Sequence, residues 1–184
     1  MKVGFSAGGD PVRCGVVRSA SEQDIRNSFI NCSKGEAKRL PVPRNLATQP
    51  WEDLDFLGWH DPQAPERSYL VAELAGDLTG IALRIATQKR GLMHTNICSL
   101  CLTAHSGNGV SMMTARKTGE QGRLGNSAGL YVCTDLACSL YLRGKKTPVN
   151  GSRIEESLSE AEQVARLHTK LSGFFTALSA PVSR

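Results

Sequence analysis

Four cysteines stand in two close pairs near the middle of the chain. Two residues separate Cys98 from Cys101, and four residues separate Cys133 from Cys138. Zinc in closed protein sites prefers four thiolate or imidazole ligands in a tetrahedron, and close spacing lets one backbone turn present two ligands. The spacing therefore predicts one Zn²⁺ held by all four cysteines.

Two other interpretations of the cysteines remain open. The first pair alone has the spacing of a redox site, but that reading leaves the second pair unexplained. In the second interpretation the four cysteines are unrelated, and each is an ordinary buried thiol. His94 and His105 flank the first pair and are alternative ligands, although four cysteines complete a tetrahedron without them. Cys14 and Cys32 lie far from both pairs in the sequence and are predicted to bind no metal.

No arrangement of residues predicts catalysis. Four thiolates close a zinc site, whereas a catalytic zinc keeps one position open. Asp135 lies between the second pair, and we interpret it as the cap of the helix that follows. The glycine-rich segment 117–129 lacks the G-x-x-x-x-G-K-[ST] pattern of a phosphate-binding loop. We therefore expect a protein that is not an enzyme and has no small-molecule substrate.

Charge is distributed unevenly along the 184 residues, whose net charge is +5. Segment 52–77 has seven acidic residues and one basic residue, whereas segment 84–146 has nine basic residues and two acidic ones. Such a block of one sign is either a solvated surface or a site for an acidic or polyanionic partner. Six of its cations are predicted to bind that partner: Arg116, Lys117, Arg123, Arg143, Lys145 and Lys146.

The elements around the cysteines follow from local patterns. Cys133 is predicted to end a strand over 129–133, and Cys138 to lie in the first turn of a helix, where the helix N-terminus favours its thiolate form. A knuckle at the first pair, an intervening hairpin and this strand–helix junction make up a treble clef. Because segment 117–129 carries four glycines, we expect a flexible or tightly turning loop there.

The remaining elements complete an α+β fold, in which an antiparallel sheet carries the treble-clef zinc finger between flanking N- and C-terminal helices. Two apolar runs at 69–74 and 80–86 predict a hairpin, and 109–116 predicts a further strand. The N-terminal helix is predicted over 21–40, capped by Ser19 or Ser21. The C-terminal helix is predicted over 159–179, where Ser159 and Glu162 form a capping box.

These elements predict one domain over residues 19–180, with its treble-clef core at about 92–146, after a flexible tail over 1–18. The N-terminus lacks the apolar segment of a signal peptide. The sequence also has no apolar run of 18 or more residues, so we expect no membrane span and a cytoplasmic protein.

The motifs "ICSLC" and "SMMTARKTGEQGRLGNSAGLYVCTDLACSLYLRGKK", with the capped C-terminal helix, closely resemble the FBP C-terminal treble-clef zinc-finger family. This domain is found in elongation factor G-binding proteins, including FusB-type fusidic acid resistance proteins. The resemblance covers about residues 21–178 and implies that the four paired cysteines are the zinc ligands. It also implies binding to elongation factor G on or near the ribosome. The alternative is a zinc finger that binds ribosomal RNA, although few aromatic residues in the basic segment are available for base stacking.

Overall fold

The structure is a computed structural model that describes residues 14–15, 17–86 and 94–180. Those residues form two antiparallel sheets and five α-helices. In chain order the elements are β1 (Cys14–Gly15), α1 (Glu22–Ser28), α2 (Lys34–Arg39), β2 (Phe56–Asp61), β3 (Ala64–Leu74), β4 (Asp77–Ile85), β5 (Thr95–Ile97), β6 (Thr103–Ser106), β7 (Val110–Arg116), α3 (Gly119–Arg123), β8 (Ser127–Cys133), α4 (Cys138–Leu142), β9 (Gly151–Arg153) and α5 (Glu160–Ser179).

The larger sheet has the strand order β1-β3-β4-β7-β8, and β2 also pairs with β3, beyond the end of β1. The predicted hairpin over 69–86 is confirmed as the β3–β4 pair. Its turn consists of Ala75 and Gly76, whose φ angles of 52° and 89° are left-handed. Two left-handed residues in a two-residue loop match the twist of the flanking strands, which explains why the chain reverses there.

The N-terminal helix predicted over 21–40 is two short helices. Ser21 and Asp24 form a capping box for α1, which ends at Phe29 because that residue is extended. A second capping box, made by Ser33 and Glu36, starts α2. The second box is visible in the sequence as another S-x-x-E, so the break could have been predicted from it.

Asn31 lies between these two helices and joins two strands of the sheet. Its amide oxygen accepts a hydrogen bond from the Ala82 backbone N–H at 2.8 Å. Its amide nitrogen donates to the backbone oxygens of Ala82 and Arg116, at 2.9 and 3.2 Å. The pairing of β4 with β7 covers only residues 83–85 of β4. The Asn31 side chain therefore satisfies backbone groups beyond the end of that pairing, and a helix through residue 31 would not leave it free to do so.

The larger sheet is covered on both faces. On its inner face α5 buries Leu167, Leu171 and Leu178 against strand residues that include Leu83 and Met113, which makes the main core. On its outer face α1 and α2 cover only the part formed by β2, β3 and β4, where smaller apolar clusters form. The members of those clusters that are fully buried are Ile25, Ala37, Leu40, Leu54, Leu57, Tyr69 and Val71.

Part of the segment predicted as a flexible tail is ordered. β1 pairs with the end of β3, and Val17 is 1% exposed with its N–H bonded to the Leu54 oxygen. Burying one valine contributes about 1.5–3 kcal/mol, which adds to the strand pairing and the backbone hydrogen bond in holding the segment. The other residues of the predicted tail, 1–13 and 16, lie outside the described residues.

Two further elements differ from the prediction. The segment expected to be a glycine-rich loop contains α3, and a small sheet of β5, β6 and β9 accompanies the cysteines. The C-terminal helix has the predicted capping box at Ser159 and Glu162. Together these elements confirm the α+β fold class with an antiparallel sheet and flanking helices. No helix within the described part of the chain is both long enough and apolar enough to cross a bilayer.

Candidate metal centre

The first cysteine pair lies in a turn between β5 and β6. The Leu102 N–H donates to the Cys98 oxygen, and the Cys98 N–H donates to the Thr103 oxygen, each at 3.0 Å. Leu102 closes the turn with a left-handed φ of 55°, an unfavourable angle for a leucine. The tight reversal directs Cys98 and Cys101 to the same point, as a zinc knuckle does.

The second pair lies at the predicted strand–helix junction. Cys133 is the last residue of β8 and Cys138 the first residue of α4. Between them Leu136 has a left-handed φ of 56°, and its side chain packs so closely on Gly58 of β2 that a Cβ there would lie 2.5 Å away. Asp135 accepts a hydrogen bond from the Ala137 N–H in the turn before α4. The predicted cap is wrong, because the N-cap of α4 is Ala137 and no side chain caps that helix.

The structure brings all four cysteines together. Their sulfur atoms lie within 4.8 Å of one another, with 3.6 Å between Cys98 and Cys138 and 3.5 Å between Cys101 and Cys133. A tetrahedral zinc with bonds of about 2.3 Å requires sulfurs about 3.8 Å apart. All four side chains are buried. The donor set, the spacing and the burial therefore fit a structural Zn²⁺, which is consistent with the predicted cofactor.

Three of the four sulfurs have a hydrogen-bonding group beside them. The Leu100 N–H donates to Cys98 at 3.4 Å, and the Thr103 hydroxyl lies 3.2 Å from the Cys101 sulfur. His105 Nε2 lies 3.4 Å from the Cys133 sulfur. Four thiolates around one Zn²⁺ carry a net charge of −2, and such neighbours orient the ligands and stabilise that charge. His105 is thus a neighbour of the ligands and not a member of the cluster.

Ionisation within the cluster is unequal. Hydrogen bonds from Cys101 and the other two thiols hold the pKa of Cys98 well below its usual range. Burial is the largest effect on Cys138 and raises the pKa of its thiol. Zinc requires deprotonated sulfurs, so a bound Zn²⁺ would hold all four as thiolates. Burial also lowers the pKa of His105, which favours its neutral form at pH 7.

The remaining candidate ligands lie apart from the cluster. His94 is exposed, and its backbone oxygen accepts a hydrogen bond from Gly107. Cys32 is half-buried between α1 and α2, where burial raises the pKa of its thiol. The side chain of Cys14 lies outside the described residues.

Arg143, one of the six cations predicted to bind a partner, lies inside the molecule. Its guanidinium forms two hydrogen bonds to the Asp55 carboxylate, at 2.6 and 3.0 Å, and only 11% of its side chain is exposed. His168 of α5 lies 2.7 Å from the same carboxylate, and Ser139 accepts the Asp55 N–H. This buried cluster links the segment before β2 to α4 and α5.

The charge of Asp55 is stabilised by its partners. Burial raises the pKa of the carboxyl, but hydrogen bonds from His168 and Arg143, together with their charges, outweigh that effect and lower the pKa below its ordinary value. Neither Asp55 nor His168 belongs to a motif. The one signal in the sequence is that Asp55 lies in the acidic segment, which indicates an ion pair with a cation of the basic segment.

Two more predicted cations bind carboxylates close to the finger. Lys145 contacts both oxygens of Asp53, at 2.6 and 2.7 Å. Lys146 binds Asp135 at 2.7 Å and lies 5.5 Å from the ring centre of Tyr141. The hydroxyl of Tyr141 donates to the same carboxylate at 2.7 Å. These contacts hold the chain that leaves α4 against the metal centre.

The other three predicted cations lie at the opposite end of the β7–β8 hairpin. Cys133 pairs with Val110 at the start of β7, whereas Arg116 ends that strand and pairs with Ser127. At about 3.3 Å per residue the two ends are roughly 20 Å apart. We therefore distinguish the cysteine end of the hairpin from its loop end, residues 116–127, which carries Arg116, Lys117 and Arg123.

The loop end is held by α5 and not by the metal site. Both the backbone N–H and the hydroxyl of Thr118 bond to the Leu178 oxygen, at 2.9 and 3.4 Å. The Lys117 N–H also donates to the Asn126 oxygen. Zinc thus fixes this loop only indirectly, through the strands. In the described part of the chain no carboxylate forms an ion pair with Arg116, Lys117 or Arg123.

Comparison with known proteins agrees with this geometry. A search of the curated proteins and a search of the solved structures found no match for the chain. A family model does match, over residues 24–178, which is most of the chain. Its description names a treble-clef zinc finger, and the knuckle, the strand–helix junction and the four buried sulfurs fit that description. The protein belongs to the FBP C-terminal treble-clef zinc-finger family.

Proposed function

We propose that the protein is a non-catalytic binding protein of the cytoplasmic translation machinery, and that its partner is elongation factor G, on or near the ribosome. Membership of a zinc-finger family supports a binding role. The closed set of four buried sulfur ligands supports a structural metal, because zinc held by four thiolates has no position left for a substrate.

The observation that carries the proposal is the composition of the loop end. Its three cations have no carboxylate partner among the described residues, and Leu124 beside them is 69% exposed. Protein interfaces combine an apolar anchor with a charged rim that steers association. A phosphate backbone needs the charges but not the leucine. This combination therefore supports an acidic protein surface as the partner of the loop end.

The test is binding to purified elongation factor G by surface plasmon resonance. We expect the double variant Lys117→Glu/Arg123→Glu to associate about tenfold more slowly, because exposed charges act mainly during approach. Leu124→Ser should chiefly speed dissociation, because an apolar anchor holds the complex once it has formed. The matched control is Lys34→Glu/Lys38→Glu, which makes the same change in net charge on α2.

Equal binding of the wild type and the loop-end variants would show that the partner surface lies elsewhere. No binding of the wild type to elongation factor G would reject the proposed partner. The alternative of ribosomal RNA is separated by salt and ribonuclease. An RNA target gives a steep linear fall of log affinity with log salt, whereas a protein complex survives ribonuclease.

A further inference from the structure

The outer face of the larger sheet carries arginines that the metal centre and the loop end do not use. The register places Arg67 of β3 directly opposite Arg84 of β4, Arg84 opposite Thr114 of β7, and Thr114 opposite Gly129 of β8. Side chains alternate between faces along a strand, so Arg116 shares this side with Thr114. We call these five residues the arginine face.

The described helices leave this face open. α1 and α2 cover the outer face of β3 and β4 at Tyr69 and Val71, but the next row along the strands, Arg67 and Arg84, is exposed. Gly129 is exposed as well, and Thr114 is half-buried. The Met112 sulfur lies beside Gly129, where a Cβ would come within 2.9 Å of it.

The positive charges of the arginine face lie close together and repel one another. Directly opposite residues of an antiparallel pair have Cβ atoms about 4.5–5.5 Å apart, and like charges in that position destabilise the sheet. Arg116 is a diagonal neighbour of Arg84, within about 7–8 Å. Within residues 17–86 and 94–180 no carboxylate forms an ion pair with any of the three arginines. Glu36 is near enough for Arg116 to help lower its pKa, after the hydrogen bonds from Ser33.

The chemistry of the face favours a phosphate chain. Guanidinium groups bind phosphate bidentately. Tyr131 of β8 also lies on this side and is 36% exposed. It lies two residues from Gly129 along β8. We propose that the arginine face binds single-stranded RNA through its phosphates.

This inference goes beyond binding to elongation factor G and adds residues that the loop end does not contain. Arg67 and Arg84 are absent from the loop end, so each surface has variants of its own. The only shared cation is Arg116, which is left intact in every variant below.

The test exploits the opposed arginines. In Arg67→Glu, and separately in Arg84→Glu, a like-charge pair becomes an attractive cross-strand pair. We expect each single variant to raise the melting temperature and at the same time to weaken RNA binding about tenfold. The remaining arginine then pairs with the new glutamate. About two phosphate contacts are therefore lost, one from each arginine of the pair. The slope of log affinity against log salt should fall by about 1.4, at about 0.7 per contact.

The measurement is fluorescence anisotropy of the full chain with a labelled single-stranded RNA of about 12 nucleotides, a length that one single-strand-binding domain covers. The controls are Lys34→Glu and Lys38→Glu, which change the net charge equally on α2. They should alter RNA affinity less than twofold. Lys117→Glu/Arg123→Glu should also leave RNA binding within twofold, which separates this proposal from that of the loop end.

Three results would overturn the inference. The first is no RNA binding by the wild type at about 50 mM salt, where phosphate contacts are strongest. The second is an equal loss of affinity in the α2 controls, which would show only an effect of net charge. The third is a loss of binding to elongation factor G in Arg84→Glu with RNA binding unchanged, which would make the face a protein interface.

Discussion

The two ends of the β7–β8 hairpin contrast in how they are held and in how they use charge. At the cysteine end four sulfurs converge, and the nearby cations Arg143, Lys145 and Lys146 all bind carboxylates of the same chain. At the loop end α5 supplies the anchor, and the described cations have no ion pair. One basic block in the sequence therefore serves two purposes. Of the six cations predicted to bind a partner, three form ion pairs within the chain, and three form none with the described residues.

The largest effect should come from the cysteine end. Cys98→Ser/Cys133→Ser removes two of the four ligands, and structural zinc can contribute on the order of 10 kcal/mol to folding. We expect the variant to lose its metal by elemental analysis and to show faster hydrogen exchange in β5, β6 and α4. Exchange in α1 and α2, which cover the other face of the sheet, should change least.

Cys32→Ser is the control and should retain one zinc per chain, because Cys32 is outside the cluster. Zinc retained in the double variant would contradict the ligand set. Unchanged melting after complete zinc removal would show that the metal does not support the fold.

The next effect concerns the buried ion pair. Asp55→Asn keeps the shape of the side chain but leaves the Arg143 charge without a partner, and breaking a buried pair costs about 3–5 kcal/mol. The matched control is Asp53→Asn, which breaks the more exposed pair with Lys145 and should cost less than about 1 kcal/mol. Urea denaturation measures both free energies. If the two substitutions lowered the free energy of unfolding equally, the pair of Arg143 would stabilise the fold no more than the pair of Lys145.

The pH dependence of stability should follow from the same carboxyl group. The pKa of Asp55 is lower in the folded chain than in the unfolded chain, where it is about 3.9, so its contribution is complete above that pH. This contribution to stability is lost as the pH falls through the lower pKa of Asp55 in the folded chain. We expect the gap in urea midpoint between wild type and Asp55→Asn to be constant from pH 7 to 5 and to narrow below about pH 4. Acid release of zinc affects both proteins, so only the difference reports on Asp55.

The smallest effect on stability is expected at the loop end. Arg123→Ala removes an exposed cation and Lys117→Ala a half-buried one, and neither forms an ion pair with the described residues. Such substitutions usually change stability by less than about 0.5 kcal/mol. Thermal melts of both variants should match the wild type. A loss comparable to that in Asp55→Asn would remove the distinction between the two ends.

Local patterns in the sequence predicted the parts of the molecule that depend on near neighbours. The two cysteine pairs, the hairpin at 69–86 and the capping box of α5 are all encoded within a few residues. The small sheet was missed because β9, Gly151–Arg153, is fully exposed and shows no apolar alternation.

Long-range pairing was the part that sequence patterns could not supply. Arg143 and Asp55 are 88 residues apart, so counting charges along the chain could not show that they neutralise each other. The same limit applies to Arg67 and Arg84, whose opposition depends on strand register. The sequence gives the number of cations in a segment. Which of those cations form ion pairs depends on the fold.

The Asn31 side chain has a consequence for the order of assembly. Its partners lie 51 and 85 residues further along the chain, so α1 and α2 cannot reach their final position until β4 and β7 are side by side. At synthesis rates of about 5–20 residues per second, roughly 4 to 17 seconds separate the translation of Asn31 from that of Arg116. Helices as short as α1 and α2 are not stable alone. We therefore expect the N-terminal part of the core to be made first and to fold late.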